Sequence, residues 1–76
     1  MSRPLFRSAC AALWGPQYRS EAARQLDVSL RTLMRYDAGE RDVPAALLVR
    51  LAKLLRQRQA YAGRIADAID DRAARA

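Results

Sequence analysis

Histidine is absent from the 76 residues, cysteine occurs once, and glycine and proline occur three times each. Each scarcity excludes something. Without histidine, and with a single thiol, no cluster of metal ligands can be assembled, and the commonest general base of enzyme chemistry is missing. Cys10 alone cannot form an intrachain disulfide, which points to a reducing compartment and leaves Cys10 as a small core residue. No long apolar run exists, so neither a membrane span nor a secretory h-region can be drawn. There is no phosphate-cradling glycine loop and no paired carboxylate in a pocket-forming pattern. Asp70 and Asp71 are adjacent and near the end, as a solvated pair would be. Nothing here reads as an enzyme, and no cofactor or small-molecule ligand is expected.

What is abundant is arginine. Thirteen of the fourteen basic residues are arginine, against eight acids, and the net charge is +6. Residues 1–18 carry +2, residues 19–58 carry +4, and residues 59–76 are neutral. A basic field over the first three quarters of a small chain suits a polyanion-binding domain followed by a neutral segment. The alternative is an ordinary solvated surface in an arginine-biased proteome. A chain this short buries only about 60–65% of the surface its unfolded form exposes, so dimerisation is the expected source of added stability.

The chain is organised around Arg19 to Ala38, RSEAARQLDVSLRTLMRYDA. A first helix is expected over about Tyr18 to Leu26, with Ala22 and Ala23 small enough to admit a neighbouring helix. Asp27 and Val28 make a corner, and Ser29 can cap a second helix from Leu30 to about Ala38. Gly39 ends it, in the left-handed conformation that glycine adopts freely. At about 100° per residue, with Leu33 centred on the buried face, Leu30, Tyr36 and Asp37 fall within about 60° of it. Arg31 and Arg35 then lie about 160° away, stacked one turn apart on the outer face, and Thr32 and Met34 occupy the flanks. A short helix with an apolar back and an arginine front can enter a DNA major groove, where guanidinium forks pair with guanine O6 and N7.

This stretch resembles the helix-turn-helix of phage-repressor (Cro-like) regulators. Ala23, Val28 and Leu33 occupy the places where that family shows an early alanine, an apolar residue after the turn and another in mid-recognition helix. The wider string LWGPQYRSEAARQLDVSLRTLMRYDAGERDVP, Leu13 to Pro44, is similar to small phage and plasmid regulators and covers a little under half the chain. One departure is Asp27, where such turns usually carry glycine; aspartate tolerates the left-handed region better than most residues. The resemblance implies an all-α, compact four- to five-helix domain with a central helix-turn-helix over residues 1–58. It also implies a repressor that binds double-stranded DNA at a palindromic operator as a homodimer, with half-sites about 10 bp apart. Such a protein is cytoplasmic in a bacterium and associated with the nucleoid when bound. Ser29, Leu30, Arg31, Met34 and Arg35 are expected to face base edges. In this fold the N-terminus of the first motif helix abuts the DNA backbone. Tyr18, Arg19 and Ser20 are therefore expected phosphate contacts, joined by Thr32 and Tyr36 of the second helix and by Arg41 in the loop that follows it. A protein-interaction module, such as an antitoxin or a small phage inhibitor, is the alternative use of the same surface.

Two helices flank this motif. Ser2 can cap one with Pro4 in its first turn, and Leu5, Phe6, Ala9, Cys10, Ala12 and Leu13 recur at helical steps. Gly15-Pro16 breaks it, with Trp14 and Tyr18 packing together across the break; a base-stacking Trp14 is the other reading. From Pro44 to about Asp71 the pattern is helical. Leu47, Leu48, Leu51, Leu54 and Leu55 are expected to close the core over both motif helices. Residues 59–76 form a C-terminal extension in which Tyr61, Ala62, Ile65, Ala68 and Ile69 are spaced like a coiled-coil seam, read as a dimer contact. Folding back onto the domain is the alternative. A break near Gly63 and fraying from Asp70 to Ala76 are expected.

Overall fold

A computed structural model describes residues 2–75, with the side chain of Ser2 left out. It is 82% helix, with four helices and no strand among the described residues: α1 (Ser2–Trp14), α2 (Arg19–Leu26), α3 (Leu30–Ala38) and α4 (Ala45–Arg75). The expected Ser2 cap falls outside the described side chains. The helix boundaries follow from local chemistry. α1 closes at Gly15, whose φ of 87° is left-handed and whose N–H donates to the Ala11 carbonyl at 2.8 Å. α2 closes at Asp27, the one non-glycine residue with positive φ among those described (φ 56°, ψ 46°). There the N–H groups of Asp27 and Val28 return to the carbonyls of Arg24 and Ala23, the paired bonds of a Schellman stop. Aspartate thus fills a position for which glycine is the usual residue.

α3 is fixed at both ends. The Ser29 hydroxyl accepts the Thr32 N–H at 3.1 Å, and Gly39 (φ 79°) makes a second Schellman stop with Glu40 N–H on Arg35 O at 2.9 Å. Nine residues are too few for a helix to stand on propensity alone, so caps and packing hold it. Pro44 precedes α4 and its carbonyl accepts from Leu47 and Leu48.

The core is one cluster: Phe6, Cys10 and Leu13 from α1; Tyr18, Ala22, Ala23 and Leu26 around α2; Leu33 and Tyr36 from α3; then Val43 and Leu51. α1 is central, packing on α4, α3 and α2, while α2 packs on α3. Ala22 and Ala23 are both buried, which allows the α2–α3 approach. Phe6 meets Tyr36 edge-on, with ring centroids 5.9 Å apart. Leu5, expected in the α1 stripe, is exposed, as is Ala12.

The second half differs from expectation. Of the five leucines, only Leu51 is fully buried; Leu47, Leu48, Leu54 and Leu55 are half-buried, because α4 rests chiefly on α1 rather than across both motif helices. α4 also runs unbroken through Gly63 to Arg75, so the expected break does not occur; Ala76 lies outside the described residues. At 1.5 Å per residue a helix of this length spans about 46 Å, which accounts for the extents of 53 × 21 × 19 Å. Every residue from Arg56 to Arg75 is exposed, so the tail does not fold back on its own domain.

Candidate nucleic-acid interface

α3 presents two faces of opposite character. Leu33 is wholly buried and Tyr36 and Asp37 nearly so, while Arg31, Met34 and Arg35 are exposed. Leu30, at the edge of the buried arc, is 45% exposed. Leu30, Arg31, Met34 and Arg35 line one shallow depression together with Ala38 and Glu40, so four of the five expected base-facing residues share a surface. Ser29 is exposed beside them, but its hydroxyl donates to Thr32 Oγ1 at 2.9 Å as well as accepting from Thr32 N. Its donor is therefore spent on the cap, leaving one acceptor lone pair.

The expected phosphate contacts divide. Arg19, Ser20 and Arg41 are exposed and Thr32 is half-buried; Arg19 and Ser20 lie with Pro16 and Gln17 around one surface hollow at the start of α2. Tyr18 and Tyr36 are corrected. Both are buried, at 5% and 4% exposure. The Tyr18 hydroxyl donates inward to Asp37 Oδ1 and the Tyr36 ring packs on Phe6. Neither presents its ring or hydroxyl to an external polyanion, because Tyr36 lies on the core side of α3 and Tyr18, just before α2, turns inward to Asp37. Trp14 is half-buried against the core. Arg24, outside the expected site, pairs with Glu21 through Nη2 at 2.6 Å and Nε at 3.0 Å, an i,i+3 surface contact that holds the Glu21 carboxyl below its usual range.

A second constellation joins two expected residues, Tyr18 and Arg19, to three that were not expected in the site, Asp37, Arg3 and Arg7. Asp37 is buried at 5% exposure, the one buried charged side chain among those described. Tyr18 O–H donates to its Oδ1, and Arg19 Nε donates to Oδ2 at 2.8 Å. Arg7 Nε stands 3.4 Å from Oδ1, and Arg3 Nε donates to the Asp37 backbone carbonyl at 2.9 Å. The Arg19 guanidinium also lies 5.7 Å from the Tyr18 ring centroid. Burial, reinforced by the bond to Asp37, raises the Tyr18 phenol above its ordinary value. The bond to Tyr18 and the Asp37 charge raise Arg7. Two signals in the sequence point here. Arg3 and Arg7 are four apart and share a face of α1, and Asp37 lies on the buried arc of α3, where a carboxylate needs a partner.

Among the described residues, no group of three or more candidate ligand side chains is arranged to hold a metal ion, and no helix is long and apolar enough to cross a membrane. The tail stripe is solvent-facing, with Tyr61, Ile65 and Ile69 at 56%, 43% and 61% exposure and Ala62 and Ala68 also exposed. The class defined by this architecture is an all-α four-helix chain with a paired short-helix corner and a projecting C-terminal rod. Comparison with family models, with curated proteins and with solved structures gave no match.

Proposed function

We propose that the chain is a sequence-specific double-stranded DNA-binding repressor of the helix-turn-helix type, acting as a homodimer on an inverted-repeat operator. The observation that carries this reading is the pose of α3. It is a rod capped at both ends, held from behind by a fully buried Leu33, with Arg31 and Arg35 exposed in front. Arg31 and Arg35 read base edges, assisted by Leu30 and Met34 on the same surface. Arg19, Ser20, Thr32 and Arg41 contact phosphates and set the register. The exposed stripe Tyr61, Ala62, Ile65, Ala68 and Ile69 pairs two copies. Regulation is by occupancy of the operator, and no catalytic step belongs to the reading.

Selection of bound duplexes from a random DNA pool tests it. The expected result is enrichment of an inverted repeat with half-sites one helical turn apart. Absence of any preferred duplex over bulk DNA at ~150 mM salt overturns it. A gel shift against the DNA upstream of the chain's own gene separates this reading from a protein-interaction module, which would leave that DNA unshifted.

A further inference from the structure

We infer that Arg3, Arg7 and Arg19, gathered around Asp37, form a binding site for phosphate oxygens on the flank of α3. The inference deepens the DNA-binding reading and rests on it for the source of the phosphate, a backbone phosphodiester beside the groove that α3 enters.

The first ground is charge. One buried carboxylate needs one guanidinium for compensation. Three guanidinium groups converge on Asp37, leaving a local surplus of +2. Like charges gathered in this way repel unless an anion joins them. The second ground is the use of donors. Tyr18 and Arg7 occupy one Asp37 oxygen, Arg19 the other, and Arg3 the backbone carbonyl. Asp37 therefore organises the cluster and is not its ligand. Each arginine contacts Asp37 through Nε. Arg7 also bonds Tyr18, while the η nitrogens of Arg3 and Arg19 remain as donors in the fork geometry that fits phosphate bidentately.

The third ground is space. Arg3, Arg7, Arg19, Met34, Asp37 and Ala38 line a cleft of about 320 Å³, and the Arg7 and Arg19 side chains are 48% and 47% exposed. The Arg3 side chain lies over Gly39, where an added Cβ would stand 3.1 Å from its Cδ. Gly39 thus both ends α3 and makes room for Arg3. The fourth ground is position. Met34 and Ala38 also line the depression around Arg31 and Arg35, so the cleft adjoins the proposed base-facing surface. A helix in the major groove has a phosphate wall along its flank. Side chains already held by Asp37 and Tyr18 lose less rotamer freedom on binding than free arginines would.

Two measurements test the site. Inorganic phosphate is titrated into the intact protein while the arginine Nε–H resonances are followed by NMR, with chloride at matched ionic strength as control. Saturable shifts confined to Arg3, Arg7 and Arg19 are expected; their absence overturns the inference, whatever the protein does with DNA. In parallel, the salt dependence of binding to a mixed-sequence duplex is compared for the wild type, Arg3→Gln and Arg7→Gln. Each variant is expected to lower the slope by about one unit. Phosphate shifts with unchanged slopes, or with no DNA binding, uphold the anion site and assign it to a free phosphate or phosphomonoester. In the latter case the repressor reading alone falls. DNA selection that succeeds while phosphate leaves the three resonances unmoved sinks the site and spares the repressor.

Discussion

The Tyr18 hydroxyl donates to the Asp37 carboxylate across nineteen residues of chain, and both side chains are buried. This contact ties the residue just before α2 to the last turn of α3, so the two short helices are joined at their far ends as well as at the Asp27 corner. The orientation of the arginine face of α3 therefore depends on a polar bond inside the core as well as on Leu33.

Removing the hydroxyl with Tyr18→Phe should cost about 1.5–2 kcal/mol, the lower part of the range for a bond to a charged group. Asp37→Ala should cost more, about 2–3 kcal/mol, because it strands the Tyr18 hydroxyl and frees mutually repelling arginines. Thermal unfolding followed by circular dichroism should show Tm falling by roughly 10–20 °C for Asp37→Ala. An unchanged Tm would mean that the contact contributes nothing to the fold.

Stability should fall on the alkaline side. Burial pushes the Cys10 thiol up to about 12 from an ordinary 9.0, and burial with the Asp37 bond raises the Tyr18 phenol from 10.0. Both groups hold their protons more tightly folded than unfolded. Their contribution is therefore complete below pH 9 and is lost as pH rises from there toward and past the folded values. With no histidine, Tm should be flat between about pH 6 and 8. Cys10 in the native protein should also resist thiol reagents at neutral pH, reacting at the rate of unfolding.

Arg35→Ala should cost ~1–3 kcal/mol on the selected operator and relax the preference at one base pair. Arg41→Ala should weaken binding to all duplexes alike and lower the salt slope by about one unit. Competition binding at several salt concentrations distinguishes the two outcomes, and identical behaviour of both variants would remove the base-reading role of Arg35.

The tail offers an independent test. Gly63 is exposed, with nothing within 4 Å of an added Cβ, so Gly63→Ala should stabilise α4 by up to about 1 kcal/mol. Ile65→Asp leaves the domain core untouched, since Ile65 is exposed in the projecting tail. It should nonetheless convert a dimer to a monomer in sedimentation equilibrium. A wild type that sediments as a monomer at all concentrations would remove the pairing role of the stripe.

Much of the local structure was legible in residue order. Ser29, Gly39 and Asp27 mark their helix ends because capping and left-handed backbone are properties of a few neighbouring residues. Leu33 and the arginines opposite it follow from helical periodicity. The tyrosines were not legible in the same way. Tyr18 and Tyr36 carry an apolar body and a polar tip, and only the packing of Phe6 and the placement of Asp37 decide that both point inward. The leucines of α4 were over-assigned to the core because periodicity gives the direction of a stripe and not how much of it a neighbour covers.

Sequence alone determined an all-helical chain, the two-helix corner, the caps of α3 and the surplus of arginine, since each is set by composition or by contacts a few residues long. Only the tertiary structure decided that α1 occupies the centre, that α4 leaves the domain as an exposed rod, and that Arg3, Arg7 and Arg19 meet at Asp37. Those last partners lie 34, 30 and 18 residues from it. Bringing such distant charges together depends on how the helices pack, which no local pattern encodes.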